Sequence, residues 1–252
     1  MAPAYASPAP RSTAAILALY VKIGACLLAV GADVRRIVVA GELRDGRVLV
    51  DALLGADQLV TLATLLELAA LVVAAALFLR WQVAAHRNLS SLGPEEPRVG
   101  VRTGVAAWFV PGVNLVLPYR VVADLWRAGG SGDRVPWLLR AWWTAWLVAL
   151  VAVVASRLAL GDAADVAARQ RIDALRAAAT ALSGVAAAFA IAVLVVVTSR
   201  QDARGAAVSG PTGAPDAGAA VSEGGLRVVS EQQAHRDARG SSVANDPGAE
   251  PL

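Results

Sequence analysis

The residues WFVPGVNLVLPYR, from Trp108 to Arg120, decide how the rest of the chain is interpreted. This stretch is apolar enough to enter a membrane. However, a regular spanning helix should contain neither proline nor asparagine at the positions of Pro111, Asn114 and Pro118. Each proline removes a backbone donor and disfavours helix at the residue before it. Because freed carbonyls need partners inside lipid, we expect a broken element rather than a regular span.

The composition is typical of a membrane protein. Of 252 residues, 57% are hydrophobic, whereas soluble domains contain about 45–50%. The net charge is only +3 and the basic residues flank apolar blocks, so nucleic acid is not an expected partner. A single cysteine excludes an internal disulfide and a multi-cysteine metal site. Lys22 is the one lysine among 23 basic residues, a bias that indicates GC-rich coding and favours a bacterial source.

Four apolar blocks are long enough to cross a bilayer as helices, since about 20 residues span the ~30 Å hydrocarbon core. The predicted spans are residues 13–32, 59–79, 136–155 and 179–198. Together they form a predicted transmembrane domain over residues 13–199. The leader 1–12 and the tail 200–252 are rich in small and polar residues and are predicted to be disordered. The fold class is an all-α integral membrane protein.

The connections between the spans carry weaker signals. Asp45-Gly46 is compatible with a hairpin turn between strands and equally with helical extensions of the two flanking spans. Before the fourth span, Arg169 lies four residues from both Asp165 and Asp173. Such spacing predicts a charged helix that rises from the membrane.

Residues 101–128 predict a re-entrant or interfacial element made of two short helices. The first runs to about Val110, and the second begins after Pro118, with Asn114 capping it or bonding the freed carbonyls. The alternative is that residues 103–119 form a fifth span.

The second of these short helices is predicted to be amphipathic. Arg120 and Asp124 are expected to pair at i,i+4 on its polar side. Its apolar side is expected to contain Tyr119, Val122, Leu125 and Trp126.

Arginine counts predict the orientation. Residues 80–134 hold seven Arg, whereas residues 33–58 and 156–178 hold four each, together with five and three acidic residues. The positive-inside rule therefore places the central segment, the tail and both termini in the cytoplasm, with the protein in the plasma membrane.

The tryptophans predict a one-sided belt at the cytoplasmic interface. All seven lie between Trp81 and Trp146, and tryptophan prefers the headgroup layer. Arg140 lies between two of these tryptophans. We therefore expect its guanidinium group either to make a cation–π contact with a tryptophan ring or to snorkel towards water. The expected interface anchors are Trp137, Arg140, Trp142, Trp143 and Trp146.

Lys22 and Glu67 each stand alone inside an apolar span, and an intramembrane ionisable residue is a candidate functional site. Their predicted depths differ by only ~4 Å. An ion pair between the first two spans is the structural interpretation, and a proton- or ion-coupling role is the functional one. A third interpretation has Lys22 snorkelling while Glu67 is protonated. Cys26 ends a lipobox-like sequence, but a buried cysteine is the ordinary expectation.

Two motifs carry a family resemblance. An R-N-L triplet at Arg87, Asn88 and Leu89 precedes a W-F-x-P-x-x-N-L-x-x-P-Y run. The marked positions of the run, with the next tryptophan, are Trp108, Phe109, Pro111, Asn114, Pro118, Tyr119 and Trp126. Over roughly residues 15–200 this pattern resembles the bacterial membrane family of domain-of-unknown-function 4328. The resemblance implies a four-span membrane protein, common in actinobacteria, and it implies no activity.

The sequence contains no recognisable catalytic, nucleotide-binding or metal-ligand motif, so no cofactor is expected. We therefore expect a non-enzymatic membrane scaffold, sensor or partner-binding module. Its expected partners are the bilayer, a cytoplasmic protein and a second copy of the chain. The alternative is a small ion or solute transporter or channel with Lys22 and Glu67 as coupling residues. A lipid-acting enzyme is a third class, which no nucleophile–base set supports.

Overall fold

A computed structural model describes residues 5–92, 98–130, 136–159 and 166–209, and within them the chain is helical and contains no strand. The helices are α1 (Ala9–Arg44), α2 (Val50–Arg87), α3 (Leu89–Leu92), α4 (Val101–Ala106), α5 (Leu117–Ala128), α6 (Trp137–Ala159) and α7 (Val166–Ser209). A 3-10 turn, Val113–Leu115, lies between α4 and α5.

Four of the described helices are long and apolar enough to cross a membrane: Ala9–Arg44, Val50–Leu92, Trp137–Ala159 and Ala167–Ser209. The predicted all-α membrane class is confirmed. Each of these helices contains one predicted span, except that Pro136 lies just before Trp137–Ala159. Large apolar side chains are exposed along them, such as Leu27, Leu62 and Val151, as expected for contact with lipid.

The helices extend well beyond the predicted spans. At 1.5 Å per residue, the 36 residues of α1 are ~54 Å long, so α1 exceeds the ~30 Å hydrocarbon core. The Asp45-Gly46 turn joins two helices rather than two strands, and Gly46 has the positive φ of 72° that glycine tolerates. The helical alternative for this connection is therefore the one observed.

The first residues described differ from the predicted disordered leader. Helix α1 begins at Ala9, and the hydroxyl of Tyr5 donates a 2.6 Å hydrogen bond to Asp202 near the end of α7. Burial and the nearby Asp202 carboxylate raise the pKa of Tyr5, so its phenol stays protonated. The backbone of Ala6 is also held by the amide of Asn88. Of the predicted tail, residues 200–209 belong to α7 and residues 210–252 lie outside the described residues.

Residues 101–128 form the broken element, since α4 ends at Ala106 and α5 begins only at Leu117. Residues 103–119 therefore do not form one continuous helix. Gly112 has φ 80°, which reverses the chain before the 3-10 turn. The predicted cap is wrong, because the N-cap of α5 is Val116 and no side chain caps this helix.

The predicted polar pairing on α5 is also wrong. Asp124 accepts a 2.7 Å bond from Arg127 at i,i+3 instead of pairing with Arg120. The amphipathic pattern itself is present, because Val121, Val122 and Leu125 are buried against the bundle.

The core lies at the end of the bundle where α5 packs, and it contains Trp81, Trp142 and Trp143. Trp142 and Trp143 are only 2% and 8% exposed, so these two predicted interface anchors are interior packing residues. Trp137 and Arg140, by contrast, are exposed on α6.

An ionic cluster joins three helices at the opposite end of the bundle. Arg36 of α1 forms an ion pair with Asp57 of α2, with Nε 2.5 Å from Oδ1, and its Nη1 donates a 2.8 Å hydrogen bond to Asp173 of α7. Asp33 of α1 pairs with Arg176 of α7. Asp173 therefore pairs across helices, mainly with Arg36, rather than with the Arg169 that the sequence spacing suggested. Asp165 lies outside the described residues.

Candidate functional site

The side chains of Lys22 and Glu67 meet between α1 and α2. The ammonium nitrogen of Lys22 lies 3.1 Å from Oε1 of Glu67, 2.8 Å from Sγ of Cys26 and 2.9 Å from Oγ of Ser183. Lys22 is only 2% exposed. The predicted pairing is thus present in the structure, while a functional role for it stays a prediction.

Three helices supply this cluster. Lys22 and Cys26 are one turn apart on the same face of α1, Glu67 comes from α2 and Ser183 comes from α7. The next residue, Gly184, lies at the contact between α1 and α7, where a methyl group placed on it would sit 3.5 Å from Cβ of Cys26, an ordinary van der Waals distance. The sequence did not indicate Ser183 as a member of the cluster. Its one distinguishing feature there is its place next to Gly184, a small residue within the fourth predicted span.

A cavity of about 420 Å³ extends from Lys22 and Ser183 towards the broken element. Residues of α1, α2, α6 and α7 line it, together with Trp108 and Phe109 of the broken element. The rest of the lining is apolar and contains Phe78, Trp142, Trp146 and several alanines. The volume lies within the range of about 300–1,000 Å³ that is usual for ligand sites.

An aromatic cluster that belongs to or packs against the core lies beside this cavity. The rings of Trp143 and Trp146 stack 4.8 Å apart, and Trp108 meets Trp146 edge-on at 5.9 Å. Phe78 of α2 contacts Trp108 at 5.6 Å. These contacts hold the broken element against both walls of the cavity.

Side chains of the long helices supply the hydrogen bonds that the broken element lacks. Gln82 of α2 donates to the carbonyl of Gly104 at 3.1 Å and accepts a 2.9 Å bond from the indole nitrogen of Trp108. Trp143 of α6 donates to the carbonyl of Leu115 at 3.2 Å. Partners of this kind allow non-helical backbone at membrane depth. Gln82 and Trp143 thus bond carbonyls of the broken element, which is the role that was predicted for Asn114.

The family-motif residues gather around the same end of the bundle. Asn88 binds the backbone of Ala6, Leu89 is buried in the core, and Pro118 is buried in the first turn of α5. Trp126 packs under Arg200, whose guanidinium carbon lies 3.9 Å from the ring centroid. Arg87, Phe109 and Pro111 are exposed. The Lys22–Glu67 pair is not part of this set, because it lies further along the bundle at the other end of the cavity.

His86 is the polar residue that the sequence left unexplained. It is buried near the end of α2, and in the part of the chain that the structure describes the backbone of Val99 lies beside its ring as a hydrogen-bonding group. Among those same residues, no group of three or more His, Cys, Asp or Glu side chains could hold a metal ion.

These features define a class of protein: a polytopic helical membrane protein in which a broken element packs on one end of four long helices. The chain belongs to the family "Domain of unknown function (DUF4328)", whose model matches residues 44–200. The matched region contains Glu67, Ser183 and the broken element, whereas Lys22 and Cys26 precede it. No curated protein and no solved structure matches the chain.

Proposed function

We propose that this protein is a non-enzymatic membrane sensor whose broken element monitors the bilayer and relays its state to the cytoplasm. We place it in the plasma membrane with both termini and the broken element on the cytoplasmic side, as the arginine distribution favours. The observation that carries the proposal is a run of exposed apolar side chains within the broken element.

This apolar rim is formed by residues on both sides of the turn at Gly112. Phe109 is 71% exposed, and the rim also includes Val110, Val113, Leu115 and Val116. A contiguous exposed apolar surface marks a contact with a membrane or a partner. In a membrane protein, such a surface suits the boundary between headgroups and acyl chains.

The rim is joined to the end of α7 through α5. Gln201 of α7 is buried and donates to the carbonyls of Ala85 and Leu125, both at 3.4 Å. Arg200 stacks on Trp126 and donates to the carbonyl of Gly130, just after α5. A shift of α5 would therefore change the packing of α7 where the chain continues towards residues 210–252.

Hydrogen exchange in nanodiscs of different thickness tests this proposal. We expect hydrogen exchange in α5 and in residues 200–209 to change with bilayer thickness. Phe109→Ser should weaken this dependence strongly. Leu27→Ser is the matched control, since Leu27 is 69% exposed on α1, far from the rim, and its replacement should leave the dependence intact. Equal exchange in all bilayers, or equal effects of the two variants, would contradict the proposal.

A transporter or channel is the second candidate, and the buried Lys22–Glu67 pair beside the cavity is the observation that favours it. It predicts ion or proton flux in proteoliposomes that Glu67→Ala abolishes. The matched control is Leu66→Ala, because Leu66 is the neighbouring exposed residue on α2. Flux that survives Glu67→Ala, or no flux in the unmodified protein, would leave the sensor as the better account.

A further inference from the structure

The cavity beside Lys22 is long and open towards the bilayer. Its α6 wall runs from Trp142 to Val153, about three helical turns or ~16 Å. Leu71 on α2 and Val153 on α6 both line it and are both exposed, so the cavity opens sideways between these two helices. Both residues lie on helices apolar enough to cross a membrane. The entrance therefore faces hydrocarbon, which favours a lipid over a water-soluble molecule.

The polar end of the cavity has a defined hydrogen-bonding capacity. The ammonium group of Lys22 has three donors, and Glu67, Cys26 and Ser183 accept all three. The charge of Lys22 is balanced by Glu67. Ser183 accepts from Lys22 through Oγ, and its own hydroxyl hydrogen is available to a ligand in the cavity. This end therefore offers a neutral donor rather than a free positive charge.

We propose that this cavity binds a single-chain lipid with an uncharged oxygen headgroup, such as a monoacylglycerol. The hydrocarbon chain lies between α2 and α6 against Phe78, Trp142 and Trp146. The headgroup oxygen accepts a hydrogen bond from Ser183 at the Lys22 end. This site does not depend on the proposed sensor function, because it rests on the cavity and the polar cluster alone.

An anionic lipid fits this end less well. A fatty-acid carboxylate would need to displace Glu67 from Lys22 and would leave the Glu67 carboxylate without its partner. Removing the partner of a buried charge is strongly unfavourable. The polar end of the cavity therefore favours an uncharged headgroup over an anionic one.

Tryptophan quenching tests the site directly, because Trp108, Trp142 and Trp146 line the cavity. The purified full chain is placed in phosphatidylcholine nanodiscs that contain small amounts of monooleoylglycerol dibrominated on its acyl chain. We expect saturable quenching at a low mole fraction, above the linear quenching by bulk lipid. Dibrominated oleate should quench only linearly. Linear quenching by the neutral lipid, or saturable quenching by oleate at the same mole fraction, would overturn the assignment.

Two pairs of variants locate the binding. Ala75→Phe places a ring in the entrance and should abolish the saturable phase, whereas Ala76→Phe, on the next exposed residue outside the lining, should leave it unchanged. Ser183→Ala should weaken the apparent affinity about 2- to 12-fold, the worth of one hydrogen bond. Thr180→Val removes a hydroxyl of α7 outside the lining and should leave the affinity unchanged. Equal behaviour within either pair would contradict the site.

Discussion

Lys22 is a buried basic residue whose hydrogen-bond partners are all side chains. Its side chain is buried away from water, and Glu67, Cys26 and Ser183 accept hydrogen bonds from its ammonium group in place of water. The Glu67 side chain is 21% exposed, so it is the more accessible partner of the pair. A pair of this kind contributes little net stability compared with apolar residues, but removing one partner leaves an uncompensated charge.

We predict that the variants Lys22→Met and Glu67→Gln each destabilise the folded protein, by at most about 3 kcal/mol because Glu67 is partly exposed. The double variant should be more stable than the sum of the two effects predicts, because it leaves no unpaired charge. Denaturant titration in detergent micelles measures the three free energies of unfolding. Strictly additive losses would show that the two side chains do not interact.

At the level of the broken element, local sequence decides where the helices stop. Pro111 and Gly112 interrupt the helical chain, but α4 ends at Ala106 rather than near the predicted Val110, and α5 begins at Leu117, with Pro118 in its first turn, rather than after Pro118. Gly112 is the position that tolerates substitution least, because few other residue types adopt its φ of 80°.

We predict that Gly112→Ala destabilises the broken element by about 1–2 kcal/mol, the cost of a left-handed conformation for a residue with Cβ. We expect hydrogen exchange in α4 and α5 to be faster in this variant than in the unmodified protein. Gly100→Ala is the control, because Gly100 has a negative φ of −69° and open space around its Cα. Equal exchange in the two variants would mean that the turn does not require its positive φ.

The sequence did not show which partners each element would meet. Asp124 has a basic residue four positions before it and another three after it, and helical spacing alone could not choose Arg127. Trp142 and Trp143 have the residue type of interface anchors, but packing of α5 and Trp108 against them buries them. Ser183 joins Lys22 only because α7 packs on α1, a contact between residues far apart in the sequence.

At the level of the whole molecule, the long helices are joined by different forces at the two ends. Aromatic and aliphatic packing around α5 joins them at one end. The Asp33–Arg176 and Arg36–Asp173 pairs join α1 and α7 at the other, where the helices extend beyond the length that a bilayer requires. The Lys22 cluster and the cavity lie between these two regions.

We predict that Arg176→Asp lowers the yield of folded, monodisperse protein in detergent, because it places a second carboxylate beside Asp33. The exchanged pair Asp33→Arg with Arg176→Asp should restore part of that yield. Arg171→Asp is the control, since Arg171 is exposed on α7. If the exchanged pair is no better than Arg176→Asp alone, the contact between α1 and α7 is not an ion pair in the membrane.

The central claim is that four helices cross the membrane and that the broken element stays on the cytoplasmic side. Cysteine accessibility at Arg120→Cys tests it most directly, since Arg120 is exposed on α5 and the native Cys26 is buried and should not react. Arg47→Cys, at the exposed turn between α1 and α2, serves as the control for the opposite side. We predict that a membrane-impermeant maleimide labels Arg120→Cys only from the cytoplasm and Arg47→Cys only from outside. Labelling of both positions from the same side would contradict the account.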